Sequence, residues 1–139
     1  MILLETSGLF SALVRNQRAH AAARAALEAA DEPLVLSPFV LAELDYFFAR
    51  EAGVATELAF LAEIAAGAYD LPQFLAPDVA RAAEVIDRYR DLGIGLADAS
   101  IVVLAERLGT DRVLTLDERH FRALRTSRGK AFTILPADA

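Results

Sequence analysis

The chain has 139 residues, of which 55% are hydrophobic and 24% charged, with no cysteine. That is a globular composition, long enough for one compact domain with a real core and too short for two ordinary ones. The missing cysteine excludes disulfide staples, thiolate metal sites and cysteine nucleophiles, and the formal net charge of −6 argues against a protein that grips nucleic acid through a broad basic surface.

The opening, MILLETSGLF, has no basic n-region, so no secretory signal is expected. Ile2-Leu3-Leu4 reads as a short buried strand that ends at the polar turn Glu5-Thr6-Ser7-Gly8, where Ser7 is placed to cap a helix. Leu9 to Val14 and His20 to Ala30 read as two helical pieces, and Pro33 separates them from a second buried strand, Leu34-Val35-Leu36. Ser37-Pro38 supplies a capping hydroxyl and a proline at the first helical position, so a helix is predicted to about Ala52, with Gly53 ending it.

Val54 to Ala66 predicts a further helix closed by Gly67, and Tyr69-Asp70-Leu71 a marginal strand before Pro72. Asp78 to Tyr89 is amphipathic, with Val79, Ala82, Ala83 and Ile86 on one face. After Gly93 and Gly95 a helix runs from about Ala97 to Leu108, where Gly109 stops it. Arg112 to Thr115 is a strand, Asp117 to Leu124 a short helix, and Ala131 to Leu135 a last strand. Apolar stretches are broken by charge well before the ~20 residues a membrane span needs. Strands alternating with helices predict an α/β fold with a mostly parallel sheet of four to five strands, in a single domain over residues 1–139, soluble and cytoplasmic.

In such sheets ligands bind outside the carboxyl ends of the strands. Glu5 ends the first strand and Asp117 follows Val113-Leu114-Thr115-Leu116. Helical-wheel placement adds two more acids. Glu43 falls among Phe39, Val40, Leu44 and Phe47 with Asp45 on the opposite, solvated side, and Asp98 lies on the stripe of Ile101, Val102, Ala105 and Leu108. A carboxylate on an apolar face is costly unless it is paired, hydrogen-bonded or bound to a metal. Four acids converging on one sheet end therefore predict an acidic cleft whose mutual repulsion raises some pKa values and which a divalent cation relieves. All-oxygen ligation favours Mg2+ or Mn2+, and a metal so held polarises a phosphodiester and activates water.

Each acid also has a plainer reading. Glu43 pairs with an arginine at the core edge, Asp98 is a first-turn acid favoured by the helix dipole, Asp117 caps the short helix after its strand, and Glu5 turns to water. His20 and His120 have no partner at metal-ligand spacing, which disfavours a zinc site. Ser7 and Ser37 lack a nearby base, and the chain has neither GxGxxG nor GxxxxGK[ST]. From Asp111 to Lys130 the chain is net +3, and its arginines, Arg112, Arg119 and Arg122 first, either contact RNA phosphates beside the cleft or form a solvated face.

These residues in this order resemble the PIN-domain ribonucleases, in particular the VapC toxins of bacterial toxin–antitoxin pairs. MILLETSGLFSAL is similar to that family's opening strand and turn, SPFVLAELDYFF to the segment with its helical glutamate, GLADASIVVLAERLG to its second aspartate motif, and VLTLDERHF to its strand followed by Thr-x-Asp-x-x-x-Phe. The resemblance implies a PIN-like fold and an acidic set of Glu5, Glu43, Asp98 and Asp117, with Glu5, Asp98 and Asp117 on the metal and Ser7 and Thr115 supporting the cleft. It further implies Mg2+- or Mn2+-dependent RNA cleavage, a homodimer, and a VapB-type antitoxin covering the cleft. One departure stands out: the family's first acid is normally aspartate and here it is Glu5. The extra methylene shifts the carboxylate by about 1.5 Å, against magnesium's strict geometry. Three explanations of that departure compete: a natural variant that adjusts its backbone or keeps a water between Glu5 and the metal, a weakened nuclease, or a deliberate substitution made so that a toxic protein could be produced. The alternative to a nuclease is a catalytically degenerate module that binds a partner through the helices between Pro38 and Gly67. A phosphorylatable receiver domain is disfavoured, because its first turn would need an acidic pair and the only lysine, Lys130, precedes the last strand.

Overall fold

A computed structural model describes all residues 1–139. Four strands, β1 (Ile2–Leu4), β2 (Leu34–Leu36), β3 (Arg112–Leu114) and β4 (Thr133–Leu135), form one sheet in the order β2-β1-β3-β4. Every neighbouring pair is parallel, so all four strands end on the same edge. Each strand is an apolar triplet or nearly so, buried on both faces, as a parallel sheet covered by helices requires.

Seven α-helices connect and cover the strands: α1 (Thr6–Leu13), α2 (His20–Ala29), α3 (Pro38–Ala52), α4 (Val54–Ala65), α5 (Ala76–Arg88), α6 (Leu96–Leu108) and α7 (Glu118–Ala123). They pack chiefly as successive pairs, α1 on α2, α3 on α4 and α5 on α6, with α6 running through the centre. Ala99 through Ala105 of α6 are all buried, which makes this helix the spine of the core. Ser37 caps α3 through the Phe39 amide, with Pro38 at the first helical position as the sequence predicts. Gly53 and Gly109 end α3 and α6 at positive φ, where a Cβ would be strained.

From β1 the chain steps one way to β2, and later crosses to the other side of β1 for β3 and β4. The reversal opens a crevice at the carboxyl ends of β1 and β3, where such sheets bind ligands. Two details differ from the pattern in the sequence. Tyr69–Leu71 forms no strand, only a single parallel bridge between Asp70 and Val35. On α5 the buried positions are Ala82 and Val85, while Val79 is exposed, because the helix turns its Ala82 side toward α6.

Candidate active site

Glu5 leaves β1 and caps α1, a role the sequence assigns to Ser7: its side chain accepts the Ser7 amide at 2.9 Å. The same oxygen, Oε2, accepts the Ser7 hydroxyl at 2.5 Å and the Thr115 hydroxyl at 2.8 Å. Ser7 and Thr115 are themselves held, since Ser7 Oγ accepts the Leu116 amide at 3.0 Å and Thr115 Oγ1 the Asp117 amide at 2.9 Å. The turns after β1 and β3 are thus stitched into one unit, with Glu5 at the seam and only 7% exposed. Burial pushes its carboxyl above the ordinary range, against the pull of the Ser7 and Thr115 donors, and the charge of Asp117 adds to the rise.

Asp98 sits in the first turn of α6 and Asp117 at the N-cap of α7, where its Oδ1 accepts the His120 amide at 3.0 Å. The local readings of these two acids therefore hold, and the site is built on them: helix N-termini are where carboxylates are most readily placed. Asp98 is pushed up to about 6, first by burial, then by the negative charge of Glu5, with Asp117 adding and His120 pulling the other way. The mutual repulsion expected from the sequence is present.

His120, read from the sequence as having no partner at metal-ligand spacing, has two in the structure. Its Nδ1 lies 2.8 Å from Asp117 Oδ2 and 3.1 Å from Asp98 Oδ2. One donor atom from each of Asp98, Asp117 and His120 lies within 4.8 Å of the others, which makes these three a group able to hold a metal ion. A signal was available, because Asp117 and His120 are three apart on one helical turn and so share a face. Glu5 stands outside this closest donor set, although near enough to act on Asp98 through its charge. All its protein hydrogen bonds fall on Oε2, and Oε1 receives none.

Glu43 is brought to the same crevice, but not on a buried face. The core face of α3 is Val40, Leu44 and Phe48, one helical turn apart, which leaves Glu43 exposed. There it accepts the Thr6 hydroxyl at 2.5 Å and shares with Glu5, Ser7, Phe10, Phe47 and Leu116 an open groove of roughly 630 Å3. Asp45, expected on the solvated side, is half-buried with its Oδ1 shielded and without a hydrogen-bond partner.

The three arginines separate. Arg112 begins β3, at the opposite end of the sheet, and pairs with Glu32 at 3.1 Å, so it is not brought to the cleft. Arg122 is taken up by Glu118 and Asp138. Arg119, beside His120 on α7, is exposed and in no ion pair.

The carboxylates, two of them raised by burial and by one another and none met by lysine or arginine, are a donor set that fits a hard divalent cation. Comparisons with known proteins give the family. The family model described as "PIN domain" matches residues 2–126. Ribonuclease VapC26 of Mycobacterium tuberculosis is 43% identical over 135 residues, covering 97% of this chain and 100% of the relative. A crystal structure of Mycobacterium tuberculosis VapC20, described as a sarcin-ricin loop cleaving toxin, superposes with a TM-score of 0.78 over 84% of this chain and 90% of that one, at 18% identity, a likeness of fold. A parallel sheet that reverses its strand order beside an acidic crevice, matched along nearly the whole chain, leads to one conclusion: the chain belongs to the PIN-domain family.

Proposed function

We propose that this protein is a VapC-type ribonuclease toxin that hydrolyses RNA at the carboxyl edge of its sheet. The observation that carries the reading is the group of buried or half-buried acids at the β1–β3 crevice that no lysine or arginine neutralises. The 43% identity to a protein named as a ribonuclease supports it along nearly the full length.

Asp98 and Asp117 would hold a divalent cation, Mg2+ or Mn2+, with Glu5 beside it directly or through water. Bound there, the cation supplies neutralisation of a phosphodiester and acidification of water. The remaining work falls to the chain itself. Ser7 and Thr115 fix Glu5 through Oε2 and leave Oε1 free to face the cation or to orient a water beside it. Glu43, tethered by Thr6, orients water at the rim. Arg119 meets the RNA backbone from α7. Exposed apolar side chains lie in two places, Tyr46, Val54 and Leu58 on α3 and α4, and Leu71, Leu75 and Val79 around the start of α5. They offer surface for a VapB-type antitoxin and for a second copy in a homodimer. No helix is long and apolar enough to cross a membrane, consistent with action in the cytoplasm.

The test is Mn2+-dependent cleavage of a mixed RNA pool by the protein and by Asp98→Asn. The expected outcome is cleavage that falls at least about a hundredfold in the variant, with its melting transition kept. No cleavage by the parent, together with no Mn2+-dependent rise in melting temperature, would overturn the enzyme reading and favour a degenerate binding module.

A further inference from the structure

Resting on that reading, we propose that His120 is a nitrogen ligand of the same cation centre and shifts its preference from Mg2+ toward Mn2+. The argument starts from spacing. Adjacent ligands of an octahedral ion with bonds of about 2.1 Å are about 3.0 Å apart, and opposite ones about 4.2 Å. His120 Nδ1 stands 2.8 Å from Asp117 Oδ2 and 3.1 Å from Asp98 Oδ2, values that bracket an octahedral edge on both sides. The 4.8 Å limit on the whole group admits the two carboxylates either adjacent or opposite.

The ring is also held for this task. His120 is in the first turn of α7, and its own amide holds Asp117 through Oδ1, so Oδ2 of the same carboxylate is the oxygen that faces the imidazole. The side chains of His120 and Asp98 are 17% and 16% exposed, so the ring has little freedom to swing into solvent. In the metal-free protein Nδ1–H donates to the two carboxylates, and because Nε2 makes no hydrogen bond to the protein it is free to carry the single proton of a neutral imidazole when a cation takes the Nδ1 lone pair. Neither Asp98 nor Asp117 is in an ion pair with lysine or arginine, and the imidazole lies within hydrogen-bond distance of both.

A nitrogen in the set changes selectivity. Mg2+ is a hard ion that takes oxygen and keeps its waters, whereas imidazole suits first-row transition ions. Two carboxylates with one imidazole are therefore a better match for Mn2+ than the all-oxygen set that the motifs alone imply.

The experiment needs no substrate. Mn2+ bound to the parent protein is examined by pulsed electron paramagnetic resonance for 14N modulation from a coordinated imidazole, which should be present, lost in His120→Ala and kept in His20→Ala. Calorimetric titration with MnCl2 and MgCl2 should show His120→Ala losing about tenfold in Mn2+ affinity while Mg2+ affinity changes less than about twofold. Metal-free melting of the variant verifies its fold, and the spectrum of the parent protein stands whether or not the variant folds. Absence of 14N modulation in the parent, or Mn2+ binding as tight or tighter in a folded His120→Ala, would overturn the ligand role. Asp98→Asn separates the two readings. Should it bind Mn2+ undiminished, the cation site itself is refuted, and should it lose binding while His120→Ala keeps it, only the role of His120 is.

Discussion

Glu32 and Asp111, at the amino end of the sheet, are each met by a tethered cation. Glu32 receives the Met1 ammonium at 2.7 Å and Arg112 at 3.1 Å, and Asp111 receives Lys130 at 2.5 Å. Glu5, Asp98 and Asp117, at the carboxyl end, have only hydroxyls, amides and one imidazole. The residue type is the same at both ends, and what differs is whether the fold supplies the opposite charge. An acid with its own arginine or lysine is complete as structure. Acids buried without one cost stability in the metal-free protein, which is the mark of a place where something else binds.

The largest effect that sharpens this contrast is on stability against pH. Asp98 has its pKa raised to about 6 in the folded protein, above the 3.8 of an ordinary aspartate side chain. Between those values the folded state holds more protons than the unfolded one, so metal-free stability falls as pH rises from about 4 to about 6, by on the order of 2 kcal/mol. Urea unfolding across this range should show the fall, and saturating Mn2+ or Asp98→Asn should flatten it. A metal-free protein whose stability stays level would break the contrast.

The next effect concerns Glu5. Shortening it by one methylene to the family's usual residue, Glu5→Asp, is expected to raise the rate of Mn2+-dependent RNA cleavage by about tenfold. Equal or lower rates would mean that the turn after β1 is already adjusted to glutamate. A smaller change comes from giving the carboxyl end a cation of its own. Leu116 lines the groove at the rim and is partly exposed, so Leu116→Lys should weaken Mn2+ binding severalfold, by roughly 1 kcal/mol, as measured by calorimetry. The smallest effect is at the other end. Lys130→Ala removes a partner that is 71% exposed, and it should cost no more than about 0.5 kcal/mol in thermal unfolding while leaving cleavage unchanged.

The contrast also explains what the sequence discloses. Glu5 is legible because it follows the apolar triplet Ile2-Leu3-Leu4, Asp117 because it follows the strand segment Val113-Leu114-Thr115-Leu116, and Asp98 because it interrupts an apolar stripe; strand ends and helix faces are local facts. Glu43 reaches the crevice for a different reason from the one its pattern suggests. Its neighbour Phe47 is only partly buried and lines the groove beside it, and periodicity alone cannot tell a core face from a groove face. His120 meets Asp98 across 22 positions, and Thr115 meets Glu5 across 110. The first contact needs α7 brought against α6 and the second needs β3 paired with β1, and no local pattern announces either. Arg112 illustrates the converse, since a basic run in sequence is divided by strand β3 between opposite ends of the molecule.

Gly8 lies in α1 at a point where a Cβ would run into the Leu114 carbonyl and come within 2.8 Å of the Thr115 amide nitrogen. The helix therefore rests directly on the end of β3, and no substituted residue fits without moving one of them. In a population of cells selected for survival of the active protein, the mutational target is accordingly wider than the acids. Replacements at Gly8, which touch no substrate and carry no charge, should recur among the survivors, because they part the two turns that Ser7 and Thr115 hold together.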